Sequence, residues 1–198
     1  MEKTVDYYFS PMSPWTYLGH RRFVELMARH GVGVNVKPVD YGRIFPVSGG
    51  LPLKQRSPQR QAYRLTELKR WREFLGVPLT LEPKFFPYAT DAAVFMIIAA
   101  DHVVGASKAM ELVGAILTGC WADEANCADA ETLTRLATKI GLDAAALRSR
   151  EVEARSDYDR YTQEAIDRQV FGAPTYVLDG ELFWGQDRLD FLERKLRA

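Results

Sequence analysis

Thiols and imidazoles are scarce in this chain. Its 198 residues include two cysteines, Cys120 and Cys127, and three histidines, His20, His30 and His102. The cysteines form no CxxC pair, and no histidine stands near them. A tetrahedral zinc site needs about four N, S or O ligands, so no metal centre is expected. Two free thiols in a reducing compartment are the plain reading of the pair. A surplus of charge is missing too, because 26 Lys and Arg balance 26 Asp and Glu. Nucleic-acid and membrane-surface binders carry a basic excess, so both classes are set aside. No apolar run approaches the roughly 18–20 residues of a membrane span. The opening MEKTVDYYF holds no apolar stretch ahead of a cleavage site, so no secretion signal is expected. The expected compartment is the cytoplasm.

What is present is a 47% apolar chain, enough for one packed domain with an insertion. Thr4–Phe9 (TVDYYF) reads as a first strand. Pro14 suits the first turn of a helix, in which Trp15, Gly19, Phe23, Leu26 and Met27 recur at helical spacing until Gly31 and Gly33. Val34–Val39 alternates as a second strand, completing a βαβ unit. Gly42–Pro58, rich in Gly and Pro, reads as a loop. Helical patterns follow over 59–75, 92–104, 108–120, 130–140, 143–150 and 151–169, with an irregular, proline-broken aromatic segment at 79–88. Thr90-Asp91 and Asp129 are candidate N-caps, and Gly141 is a helix stop. The strand pattern returns at Ala173–Leu178, turns at Asp179-Gly180, runs back over Glu181–Gly185 and closes with a helix at Arg188–Arg197.

Sheet elements at both ends around a helical middle predict an α/β, thioredoxin-like sheet domain from residues 1–45 and 168–198. The helical insertion spans 46–167. In that fold the active site lies at the N-terminus of the first helix, and a proline starting the third strand packs against it. Pro174 in VFGAPT occupies that place. An ordinary trans proline at a strand start fits the spacing equally well.

SPWTYLG (Ser13–Gly19) resembles the CPWCYLG-type motif of DsbA-type oxidoreductases, with Ser13 and Thr16 in place of the two cysteines. Val170–Glu193 (VFGAPTYVLDGELFWGQDRLDFLE) is similar to the C-terminal signature of the 2-hydroxychromene-2-carboxylate isomerase family, kin of the kappa-class glutathione transferases. The likeness covers nearly the whole chain. It implies a glutathione-dependent isomerase acting on a small aromatic carboxylate, as a homodimer, in naphthalene-type catabolism. Ser13 would be the catalytic residue, its hydroxyl hydrogen-bonding a thiolate supplied by glutathione where a helix N-terminus favours negative charge. Ser13 also reads as a simple N-cap, and the two roles are compatible.

The same resemblance assigns the backbone of Ala173, beside a cis-Pro174, to the cysteinyl part of glutathione. It assigns Trp184, Gly185, Gln186 and Asp187 to the γ-glutamyl end. Asp187 reads equally as an N-cap of the last helix in capping-box spacing with Asp190, and Trp184 as a core aromatic. Lys54, Arg56, Arg60, Arg64, Lys69, Arg70 and Arg72 stand against a single acid, Glu67, between residues 54 and 72. A solvated helix face is the plain reading. The alternative places its loop end near ligand carboxylates, although no asparagine-arginine pair of the family's kind aligns there. Arg43, Lys54, Gln55 and Phe86, with Tyr88 nearby, are the expected lining of the substrate pocket. Three other functions compete: a kappa-type glutathione transferase or peroxidase, a DsbA-type disulfide oxidoreductase, which needs the missing CxxC, and a non-enzymatic thioredoxin-like binding module.

Overall fold

The computed structural model describes residues 3–198. A four-stranded sheet has the order β2-β1-β3-β4. β1 (Thr4–Phe9) lies parallel to β2 (Gly33–Pro38). β3 (Thr175–Leu178) runs antiparallel to both β1 and β4 (Glu181–Trp184). The β3–β4 turn uses Asp179 and Gly180, both at positive φ (52° and 80°), as a two-residue hairpin requires. The crossover between β1 and β2 is helix α1 (Pro14–His30), which starts on Pro14 and stops where Gly31 turns left-handed at φ 61°.

Alternation along the strands sorts the core into two layers. Val5, Tyr7 and Phe9 point to one face, with Tyr176, Leu178 and Phe183, and join Leu18, Phe23, Leu26 and Met27 of α1. Helices α5 (Ala106–Trp121), α6 (Ala130–Lys139) and α9 (Leu189–Arg197) contribute to the same layer. Tyr8 and Val177 point to the other face. There they meet α2 (Tyr41–Ser48), α4 (Asp91–Val104) and α8 (Glu151–Asp167) through Ile44, Val94, Phe95, Ile98, Tyr161 and Ala165. α3 (Pro58–Leu75) and the short α7 (Ala144–Arg148) complete the helices. The order α4–α5–α6–α7–α8 is the expected helical block. Asp129 caps α6 by accepting from Thr132 N at 2.8 Å. Among the described residues no helix is long and apolar enough to cross a membrane.

An ionic cluster pins α8 to the sheet. Asp6 accepts from Asn35 Nδ2 (2.7 Å) and pairs with Lys37 (3.0 Å) and Arg168 (3.1 Å). Lys37 also meets Glu164 at 2.8 Å. With several partners per charge, little of the burial cost is left uncompensated.

The segment 42–58 is not one loop. Its first part is α2, because the Asp40 side chain accepts from Gly42 N at 2.7 Å and Ile44 is fully buried. Pro46 lies late in this short helix, where its missing N–H costs a single bond. Leu53–Gln55 forms a 3-10 turn. The last helix starts later than expected, at Leu189, after a 3-10 turn over Gln186–Arg188. Asp187 therefore does not cap it.

Candidate functional site

The two ends of the chain meet at the C-terminal end of β1. The β1–β3 register pairs Tyr8 with Thr175, so continuing it by one residue sets Pro174 beside Phe9. The Ala173–Pro174 peptide is cis. From Phe9 the chain makes a turn closed by Ser13 N donating to Ser10 O at 3.0 Å. This turn delivers Ser13 to the head of α1. The hairpin brings Trp184 opposite Thr175, and Gly185 N donates to Pro174 O at 2.9 Å. Pro174, with Ala173 before it, Trp184 and Gly185 thus gather at the end of β1, from which one turn leads to Ser13.

Ser13 is the N-cap of α1, with extended backbone (φ −78°, ψ 126°) and its Oγ accepting from Thr16 N at 3.2 Å. That bond uses a lone pair of the hydroxyl and leaves its proton free to donate. Pro14 has no N–H, and the Trp15 N–H finds no acceptor among the described residues. The helix head therefore offers one hydroxyl proton and one backbone donor at its positive end. Thr16, in the second cysteine's place, is fully buried, and its Oγ1 has no partner.

The floor beneath α1 is aromatic and fixed. His20, seven residues after Ser13 and on the same helix face, donates from Nε2 to Met110 O at 2.9 Å and accepts the Tyr7 hydroxyl at Nδ1 (3.4 Å). Burial pulls its pKa down to about 4, against the opposing pull of the Met110 carbonyl. The imidazole is neutral at physiological pH. Gly19 is required by close packing, since a Cβ there would lie 2.7 Å from Gln186 Cβ. Gln186 is buried, and its Oε1 accepts from Arg22 of α1 at 2.8 Å. This bond ties the segment after β4 to the helix. Asp187 is part-exposed and pairs with Arg188 at 2.7 Å. Trp184 is 49% exposed, so it is not a core aromatic. Its indole packs edge-on against Phe171 and over Gly172, where an added Cβ would strike Nε1.

A second wall comes from the irregular segment. The Tyr88 hydroxyl donates to Pro11 O at 3.0 Å, and Tyr88 N contacts Met12 Sδ at 3.3 Å. Both acceptors lie immediately before Ser13. Phe86, two residues earlier, packs on Trp121 with ring centroids 4.9 Å apart. Of the other expected pocket residues, Arg43 is turned toward α8, where it pairs with Asp159 at 2.9 Å. Lys54 and Gln55 are exposed on their 3-10 turn, and no bond ties them to the head of α1. The basic run is mostly a solvated face, as with the exposed Arg70–Glu67 pair. Arg64 departs from it. Its guanidinium is part-buried over Phe86 and Trp121. The signal was in the spacing: Arg64, Leu68, Trp71 and Leu75 form the inward stripe of α3, of which Leu68 is fully buried.

Cys120 and Cys127 are free and buried. Burial pushes their pKa values up to about 12 and about 11. Both thiols are therefore held protonated at neutral pH, and Ser13 and Thr16 put no thiol in the two motif positions at the head of α1.

The DSBA-like thioredoxin domain model matches residues 4–197. A 2-hydroxychromene-2-carboxylate isomerase from Sphingobium xenophagum is 32% identical over 99% of this chain and 99% of its own. Glutathione S-transferase kappa 1 from Caenorhabditis elegans is 23% identical over 95% of this chain and 88% of its own. Among solved structures, a 2-hydroxychromene-2-carboxylate isomerase superposes with a TM-score of 0.81 at 27% identity, covering 98% of this chain and 94% of that one.

Proposed function

The chain belongs to the DSBA-like thioredoxin family and, within it, to the 2-hydroxychromene-2-carboxylate isomerases; from that premise we propose how its site works. The enzyme interconverts 2-hydroxychromene-2-carboxylate and trans-o-hydroxybenzylidenepyruvate. The observation that carries the mechanism is a helix head with donors for a sulfur anion in a protein whose own two thiols are buried and kept protonated by that burial. Glutathione bound at this head would supply a thiolate for reversible conjugate addition to the ring-opened enone, the chemistry that frees the former double bond to rotate.

The protein's part is to hold and to orient. Ser13 donates its free hydroxyl proton to the sulfur while Thr16 N–H fixes the hydroxyl from behind. The Trp15 N–H and the helix dipole add further stabilisation of negative charge. Ala173 presents backbone to the cysteinyl portion beside Pro174. Trp184 and Gly185 flank the γ-glutamyl end, and Gln186, locked by Arg22, fixes their backbone. Asp187 exchanges Arg188 for the ligand ammonium. Phe86 lines the substrate side, and Lys54 and Gln55 stand at its outer rim. Arg43 enters only by leaving Asp159.

The reading extends to a cytoplasmic homodimer, checked by fractionation and by sedimentation. Removing glutathione by gel filtration should abolish turnover, and adding it back should restore it; turnover indifferent to glutathione would sink the mechanism. The kappa-type relative keeps a second chemistry in view, conjugation of an electrophile at the same thiolate. Running a chlorinated nitroaromatic beside the chromene acid separates the two. Disulfide exchange is not available, because Ser13 and Thr16 occupy both cysteine positions.

A further inference from the structure

Arg64 is a part-buried cation that closes no ion pair among the described residues, with Glu82 acting on it only from a distance. Its guanidinium carbon lies 5.3 Å from the centre of the Phe86 ring and 5.8 Å from that of Trp121. Stacking on these rings fixes the plane of the fork. Its Nη2 is sealed from solvent without any acceptor among the described residues. Glu67, the acid of this stretch, is committed to Arg70. Burial, and then the like charge of Arg56, draw the Arg64 pKa down to about 10, with Glu82 opposing. The group therefore remains charged at neutral pH. Arg56 is part-buried as well and spends its Nε–H on Leu51 O at 2.8 Å. Two neighbouring cations with no carboxylate paired directly to either are costly in a folded protein unless an anion completes them. Their cradle is attached to the active helix, since Phe86 leads directly into Tyr88, which bonds Pro11 and Met12.

We propose that Arg64, seconded by Arg56, is the anchor for the carboxylate of the aromatic substrate, with Phe86 beside its ring. This deepens the isomerase reading and rests on it. A planar fork backed by aromatic faces matches a planar aromatic acid, because carboxylates accept two parallel N–H bonds from guanidinium. Arg43 and Lys54 do not offer this geometry, being respectively ion-paired and exposed away from any aromatic face in the described contacts.

The test titrates trans-cinnamate into the glutathione-saturated protein, wild type and Arg64→Met, by calorimetry. Methyl cinnamate serves as the uncharged control, and glutathione is titrated separately. Cinnamate should bind about 10–100-fold more weakly to Arg64→Met, the range for a hydrogen bond to a charged group. The ester should bind both proteins alike and glutathione affinity should not change. The melting temperature should stay level or rise, since an unpaired charge is removed; a residue that only props the fold would lower it. If Arg64→Met does not fold, Arg64→Gln repeats the titration with the same expected loss. Equal cinnamate affinity in wild type and variant, or a loss that falls on glutathione instead, overturns the assignment. Turnover of the chromene acid on the same samples separates the two readings. Arg64-dependent cinnamate binding without any wild-type turnover sinks the isomerase reading alone. Turnover with kcat/KM unchanged in the variant sinks the anchor alone.

Discussion

Acidification should loosen the floor of the site through His20. Its folded pKa of about 4 lies below the ordinary 6.5 because burial disfavours the imidazolium. The unfolded chain therefore binds a proton that the folded chain refuses, so stability rises with pH across that gap and is lost on acidification. The contribution is complete above pH 6.5 and is lost as the pH drops toward 4. The full gap is worth about 3 kcal/mol, and some 2 kcal/mol of it should disappear between pH 7.5 and 5. The ring neighbours Tyr7 and Tyr176 do not titrate in this window, since burial raises both hydroxyls above their ordinary values. The control is His20→Gln, whose side-chain amide can still donate to Met110 O. Urea denaturation of both proteins at pH 7.5 and pH 5 separates the His20 contribution from the surface groups they share. Wild type should lose about 2 kcal/mol more than His20→Gln across that range. Parallel pH curves would refute the reasoning, because they would mean that the imidazole takes up its proton inside the fold at no extra cost.

Ser13→Ala removes both a cap and a donor. It should cost about 1 kcal/mol of stability for the lost bond to Thr16 N and lower kcat/KM about 10–100-fold for the lost bond to a charged sulfur; near-normal activity in a folded variant would leave Ser13 as a cap alone. Gly172→Ala drives a Cβ into the Trp184 indole. Overpacking of this kind costs about 1–3 kcal/mol, so glutathione should bind roughly tenfold more weakly or worse, and calorimetry beside tryptophan fluorescence shows whether Trp184 has moved.

Local rules carried the sheet and most helices. Thr4–Phe9, the Asp179-Gly180 turn and the Asp129 cap were legible because each depends on a few adjacent residues. Helix α2 was not, since Gly42 and Pro46 mimic a loop and only the burial of Ile44 against the far sheet face makes the helix worthwhile. The last helix was legible to within one residue, Arg188 being its N-cap, but the 3-10 turn before it was not. Gln186, the first residue of that turn, is held by Arg22, a partner 164 residues away that no local pattern points to. At the site, the Ser13 and Pro174 segments were readable as motifs, but their meeting is a matter of strand register. Arg64 looked like one more surface cation because composition counts charges without saying which side of the helix they occupy. The Asp6–Lys37–Glu164–Arg168 cluster was hidden for the same reason, its members being spread over β1, β2 and the end of α8.

The central claim is that the head of α1 holds a borrowed thiol as its anion. Ultraviolet difference spectroscopy of glutathione added to the protein, followed across pH, reads that ionisation directly. The bound thiol should ionise with a pKa at or below about 7.5, as thiols at helix N-termini do, and Ser13→Ala should move it back toward the free value. A thiolate signal that appears only near the free thiol's pKa of about 8.5, or one unchanged in Ser13→Ala, would contradict the account.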